Sequence, residues 1–534
     1  MNQAKTVIIF ATALTCVTLH AQTKESLAKS EHKLNTFFAS YKPAEGELPQ
    51  QARMKKLVAD DNRRTITIVM DNCFAQQSFT DNSVGKIYSK VKNALAKPYN
   101  KYKISITTVG LPIEQLVAGS IDEEAHDLWG DINYDGKPWV ENISAPVKFS
   151  HGLYDRHITL WASHGRYYDS KKNTWKWQRP NLFTTNEDLF TQTIVVPYLI
   201  PMLQNAGAVV FTPRERDWQK EEVIVDNDDP ILAPYFSIRN GNKTWRKAPS
   251  QGFKKTKAVY SDGDNPFCAG TCLMAESHKK GGSTISYTPK LEKEGPHAVY
   301  VSYQTVPGSV DDALYTVWHK GQATQFHVNQ TMGGGTWVYL GTFDFDKGCN
   351  EFNRVEVSNA SRQKGFVTTD AVRFGGGMGN IERGGYVSNM PRALEGARYY
   401  AQWAGAPYSI YSTKQGQDDY GDDINTRSLM SNWLAGGSCY VPTKQGLNVP
   451  IELSLAVHSD AGYQKDGRSI FGSLAVCTTF FNDGRLNSGI SRQTSKSLAD
   501  LLLTGVNRDM RSLYGTWNRR DLYDRNYSET RLPA

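Results

Sequence analysis

Two histidines close apolar runs almost three hundred residues apart. These are Ile158-Thr-Leu-Trp-Ala-Ser-His164-Gly165 and Ile451-Glu-Leu-Ser-Leu-Ala-Val-His458-Ser-Asp460. Each run reads as a strand, and strand ends are where an open α/β sheet presents functional groups to a crevice. Two imidazoles and one carboxylate form a donor set for catalytic Zn2+, with a fourth position left for water. The carboxylate expected is Glu187, in Thr185-Asn-Glu-Asp-Leu-Phe190, with Asp188 as its rival. Acidic residues also collect in a first helical turn simply because the helix dipole favours them there. The same donors accept other divalent ions. His151 and His157, which flank the first strand, read as structural.

The elements around these residues follow from pattern. A helical pattern runs through Leu27, Leu34, Phe37 and Phe38, followed by a strand over 65–71, a helix near 84–95 and a strand over 102–109. This order predicts a small α/β region over 22–150. Asp71 and Cys73 end its first strand without a visible partner and read as structural. The segment 151–255 is α/β again: the strand into His164, a helix from about 186 to 205, and a strand over 208–212. From 256 to 376 the chain becomes Gly-rich, with short alternating strands between turns, the pattern of an all-β sandwich. The α/β texture returns over 377–534. The fold class expected is therefore an α/β domain interrupted by an all-β sandwich and preceded by a small α/β region.

Composition sets the outer bounds. At 534 residues the chain needs more than one core. With 39% hydrophobic and 11% aromatic residues it is neither disordered nor fibrous. A net charge of +7, without a long basic run, is too diffuse for a nucleic-acid partner. Lys5, the apolar stretch 7–19 and Leu19-His-Ala21 read as a signal peptide over 1–21, placing the protein outside the cell or in the envelope. Cys16 fits a lipoprotein anchor less well than simple cleavage, and no later run is long enough to span a membrane. In an oxidising compartment, Cys268 and Cys272 read as a local disulfide rather than half of a structural zinc site.

The interrupted domain resembles the zinc-dependent N-acetylmuramoyl-L-alanine amidases. The motifs occur in family order: Leu160-Trp-Ala-Ser-His164-Gly165 (Ser163 replacing the family's glycine), Glu187, Ala206-Gly-Ala-Val-Val-Phe-Thr-Pro-Arg214, Asp423-Ile-Asn-Thr-Arg427 with Asn432, and Ser454-Leu-Ala-Val-His458-Ser-Asp-Ala461. The resemblance implies His164, Glu187 and His458 as metal ligands and peptidoglycan as partner; Asp460 is a candidate to orient a ligand or the substrate, and Arg427 either to bind a peptide carboxylate or to sit in a salt bridge. It also implies a catalytic glutamate late in the fold. The expectation is that this base lies beyond residue 534, in a truncated second part, with Glu529 as a possible stand-in.

The insert resembles the golvesin C-terminal-like domain, found attached to xanthan lyases. The resemblance rests on Tyr315-Thr-Val-Trp-His-Lys-Gly321, Gly333-Gly-Gly-Thr-Trp-Val-Tyr-Leu-Gly-Thr-Phe343 and Thr369-Asp-Ala-Val-Arg-Phe374. It implies carbohydrate binding, with Trp318, Trp337 and Tyr339 as candidates to stack on sugars; the rival role of such rings is to fill a core. The function expected is a secreted zinc amidase held on glycan by its insert. The alternatives are a polysaccharide-directed, xanthan lyase-like protein or a non-catalytic glycan-binding protein.

Overall fold

The computed structural model describes residues 24–44, 48, 50–118, 132–146, 152–182, 184–229, 235–459, 462, 466 and 468–533. The signal segment with Cys16, His151 and Asp460 lie outside the described residues. The protein is β-rich, with several sheets and some helices. It divides into two compact units, Met1–Asp131 with Ala461–Thr530, and Ile132–Asp460 with Arg531–Ala534. The segment 377–534 is thus shared between them. No helix among the described residues is long and apolar enough to cross a membrane.

The first unit contains a four-stranded sheet, Met54–Asp60, Thr65–Met70, Lys103–Thr108 and Leu111–Pro112, in chain order. The two middle strands are parallel, and such a pair needs a crossover. The chain between them contains the helix Asp81–Ala94, whose start is fixed by a reciprocal Thr80–Ser83 capping box. Val84, Ile87 and Val91 fall on one helix face and are buried in the same core as Ile66, Ile68 and Ile106. Asp71 caps the short turn Asn72–Ala75, and the buried Cys73 thiol donates to the Gln50 carbonyl at 2.8 Å. A second parallel pair, Ser473–Cys477 with Arg519–Asp524, is separated in sequence by the helix Gln493–Tyr514.

The second unit holds the sandwich. One sheet orders Val223–Asp226, Ala371–Phe374, Gly295–Val301 and Val338–Phe345; the other orders Phe236–Arg239, Thr284–Tyr287, Arg354–Ser358, Ala313–His319, Gln322–Val328 and Val140–Asn142. Both are antiparallel, and Val299 and Val301 of one share a core with Tyr315, Val317, Val355 and Val357 of the other. Strands from outside 256–376 therefore complete these sheets: edge positions are filled by register, which local sequence patterning does not announce.

The bridge expected between Cys268 and Cys272 is not formed. Cys272 faces inward from the strand Gly270–Glu276 and is fully buried, whereas Cys268 ends a 3-10 turn and is exposed. The two thiols therefore stand in different environments, one on the turn's surface and one inside the strand's core face.

In the same unit, Ile451–Val457, His157–Ala162 and Val209–Phe211 form a three-stranded parallel sheet with His157–Ala162 in the centre. Every residue of the central strand is buried, as befits a parallel strand covered on both faces.

Candidate functional site

Pairing of Val457 with Ala162 brings the C-terminal ends of two parallel strands side by side. His458 directly follows one strand, and His164 follows the other after Ser163. Their rings lie 4.9 Å apart between centroids. Glu187 arrives from a helix start, where Asn186 is the N-cap and its side chain accepts from the Leu189 N–H at 3.0 Å. The helical run from Glu187 to Asn205 is broken by a π-helical turn at Val195–Leu199. Pro197 and Pro201 lack the N–H groups that a continuous α-helix would use. Gly207, at φ +102°, reverses the chain into the strand Val209–Phe211.

The ligand atoms of His164, Glu187 and His458 all lie within 4.8 Å of one another. His458 Nδ1 is 2.9 Å from Glu187 Oε1, and the same oxygen accepts from the Ser459 N–H at 3.0 Å. His164 Nδ1 lies 3.6 Å from Glu187 Oε2 and 3.7 Å from Asp188 Oδ1, and has no hydrogen-bond partner. Burial, followed by the charges of Arg427 and His458, holds His164 far below its ordinary pKa. It is therefore a neutral imidazole, the form that binds a metal. Two ring nitrogens, one of them buried and orphaned, and a carboxylate fit a divalent ion of the zinc type.

Neighbouring residues hold this geometry. Ser163 Oγ is 2.8 Å from Thr191 Oγ1, which donates to the Glu187 carbonyl at 3.0 Å and so ties the strand end to the helix. Arg214 is buried and donates to the carbonyls of Glu395 and Ala393, both at 3.1 Å. The backbone N–H of Arg179 donates to Asp188 Oδ2 at 2.9 Å, and its side-chain Nε lies 3.6 Å from Glu187 Oε2. Burial pushes Asp188 up to about 6. Sequence reading did not single out Arg179, because a lone arginine in a loop carries no periodic signal.

Of the two roles open to Arg427, substrate contact is corrected and the ion pair is the one the structure shows. It is 1% exposed, donates to the Ser163 carbonyl and lies 3.8 Å from Asp423. Glu529 lies in the short helix Ser528–Arg531 and is itself part of the first unit. Trp337 is also corrected. At 1% exposure, with Phe253 and Phe267 packed against its ring, it fills the core and offers no face to a sugar. Trp318 and Tyr339 are half-buried; Arg354 sits 4.7 Å from the Trp318 ring centroid and Arg216 sits 4.1 Å from that of Tyr339. His157 accepts from the Trp139 N–H at 3.0 Å and is structural.

Residues 258–376 match the golvesin C-terminal domain. A stretch of 152 residues is 30% identical to a xanthan lyase of Bacillus sp. (strain GL1), covering 28% of this chain and 14% of that protein. The chain thus spans only a small part of this relative's length. Among solved structures, a Paenibacillus xanthan lyase is 24% identical, with a TM-score of 0.23 and coverage of 29% of this chain and 13% of that one. The C-terminal CBM6 of a marine laminarinase from Zobellia galactanivorans is 14% identical, with a TM-score of 0.19, covering 29% and 99% respectively. The chain therefore carries a golvesin-type domain with xanthan lyase homology.

Proposed function

We propose that this is an exported, polysaccharide-directed protein whose β-sandwich binds an extracellular glycan. The observation that carries this reading is the golvesin C-terminal match over 258–376. It favours the polysaccharide-directed alternative over a function confined to peptidoglycan. Affinity electrophoresis of the full chain through gels containing xanthan, solubilised peptidoglycan or a neutral β-glucan tests it. Retardation by at least one glycan, relative to a non-binding control protein, is expected; migration unchanged in every gel rejects the reading. An ultraviolet-absorbing unsaturated uronate among the products would mark a lyase.

A second reading is supported by the clustering of His164, Glu187 and His458 within 4.8 Å at adjacent strand ends. In it, the α/β part is a zinc hydrolase of the amidase type, cutting the bond between muramic acid and L-alanine. Bound zinc would supply a water of pKa about 7 and a polarised amide carbonyl. The chain's own residues supply the donors, with Ser163, Thr191, Arg427 and Arg214 holding the strand ends and helix start in place. New L-alanine amino termini after muropeptide digestion are the expected product, and their absence from digests by the zinc-loaded chain rejects this reading.

A further inference from the structure

Beside its two main sheets, the second unit has a smaller one, ordered Arg246–Gly252, Gly270–Glu276 and Phe366–Thr369. Met274 of the middle strand stands opposite Arg246 on one side and Thr368 on the other. Ala248, Cys272, Met274 and Val306 form a small apolar cluster apart from the main core, with Phe366 packed against it. Over this cluster lies an open groove of about 500 Å3, with Met274 and Val306 at its base and Arg246, Lys247, Pro307 and Phe366 around it.

Phe366 is a fixed platform in that groove. Its N–H donates to the Gly308 carbonyl at 2.9 Å, and its carbonyl accepts from the Val310 N–H at 3.1 Å. The turn that carries Pro307 is closed by the Ser309 N–H, which donates to the Val306 carbonyl at 2.9 Å. The Phe366 ring is only half-buried. A rigid aromatic face of this kind takes the C–H face of a sugar ring with little ordering to be done on binding.

The charges beside it are all of one sign. Arg246 and Lys247 are exposed, and the Arg246 guanidinium lies 5.9 Å from the Phe366 ring centroid. A regular strand sends successive side chains to opposite faces, yet both residues border the groove; the register shifts between Lys247 and Gln251. Glu276, whose charge reaches Arg246, is itself paired with Lys243. Among the described residues neither Arg246 nor Lys247 forms an ion pair. An unpaired guanidinium presents a planar fork matched to a carboxylate.

We propose that this groove seats an acidic glycan, one uronate ring lying on Phe366 with its carboxylate held by Arg246 and Lys247. The inference rests on the glycan-binding reading and names the class of glycan. A neutral sugar would leave both cations unused, and a small inorganic anion would leave the aromatic face unused. The thin spread of the +7 net charge disfavours a nucleic acid. Phe366 and Pro307 lie within the matched 258–376, but Arg246 and Lys247 lie before it. The preference for acid therefore comes from their juxtaposition in this chain.

The full chain is run through affinity gels containing xanthan, alginate or hyaluronate, each beside its carboxyl-reduced form. Gels with neutral β-glucan and with single-stranded DNA run alongside. Retardation by at least one acidic glycan is expected, with affinity falling roughly tenfold or more once its carboxylates are reduced. The double change Arg246→Gln with Lys247→Gln should lose the same factor at an unchanged melting temperature, and Phe366→Leu should weaken binding too. Lys279→Gln with Lys280→Gln, an equal loss of charge at exposed positions outside the groove's lining, should bind like the wild type. Retardation that survives either carboxyl reduction or the Arg246 and Lys247 changes overturns this inference and leaves glycan binding standing. Equal loss in the Lys279 and Lys280 chain, or equal retention by DNA, marks a general polyanion surface and also overturns it. Unchanged migration in every gel rejects glycan binding itself.

Discussion

At the residue scale, the histidine site depends on neutrality and on spacing. His164 is kept uncharged by burial, and Glu187 lies within reach of both rings. The purified chain should carry about one zinc per molecule, the stoichiometry of a three-ligand catalytic site. Elemental analysis of His164→Ala, Glu187→Gln and His458→Ala should show that metal lost in each. Full zinc content in any of them would exclude that residue as a ligand.

His157 gives a pH prediction with a definite sign. Burial, and then Arg156, lower its pKa from 6.5 to about 4. Between these values the unfolded chain takes up a proton that the folded chain refuses. The stability contributed by neutral His157 is therefore complete above about pH 6.5 and is lost as pH falls toward 4, by about 3 kcal/mol in all. Denaturant melts of His157→Gln, which keeps an acceptor for the Trp139 N–H, should show a flatter acid limb than the wild type. Identical pH slopes would show that His157 titrates normally.

At the scale of elements, the turn after the first strand has no spare room. A methyl group on Gly165 would stand 2.4 Å from the Glu395 carbonyl and 2.7 Å from the Arg214 guanidinium. Gly165→Ala must displace backbone rather than a flexible side chain. It should cost about 1–3 kcal/mol and lower zinc occupancy, both readable from melting and metal analysis of one preparation. In the sandwich, Trp337→Ala should cost about 3–5 kcal/mol, as large core deletions do, with gel retardation by glycan unchanged below its melting point. Loss of retardation in a folded Trp337→Ala chain would return that ring to the binding surface. Here sequence reading was ambiguous for a physical reason. Alternation along a strand says that some aromatics face inward but does not say which side is the core. Only tertiary packing buried Trp337, against Phe253 and Phe267, and left Trp318 and Tyr339 half-buried.

At the scale of the whole molecule, two compact units have separate apolar cores. One is built around Ile66, Ile68 and Ile106, the other around the sandwich and the helices Ala397–Trp403 and Asp419–Ala435. Calorimetry should therefore resolve two transitions, with zinc raising only the one that contains His164 and His458. A single transition, or a zinc shift in both, would show that the units unfold as one.

Local chemistry and periodicity alone determined much of this protein. The apolar runs ending at His164 and His458, the N-capped start at Glu187 and the strand texture of 256–376 are visible because strand and helix periods are properties of neighbouring residues. Their joint meaning was not local. That His164 and His458 meet follows from the parallel register of Ile451–Val457 on His157–Ala162, a pairing across almost three hundred residues. Tertiary structure alone also placed Arg427 beneath the Ser163 carbonyl and kept Cys268 from Cys272. Burial and partnership are decided by what the rest of the chain brings alongside, and no window of sequence contains that.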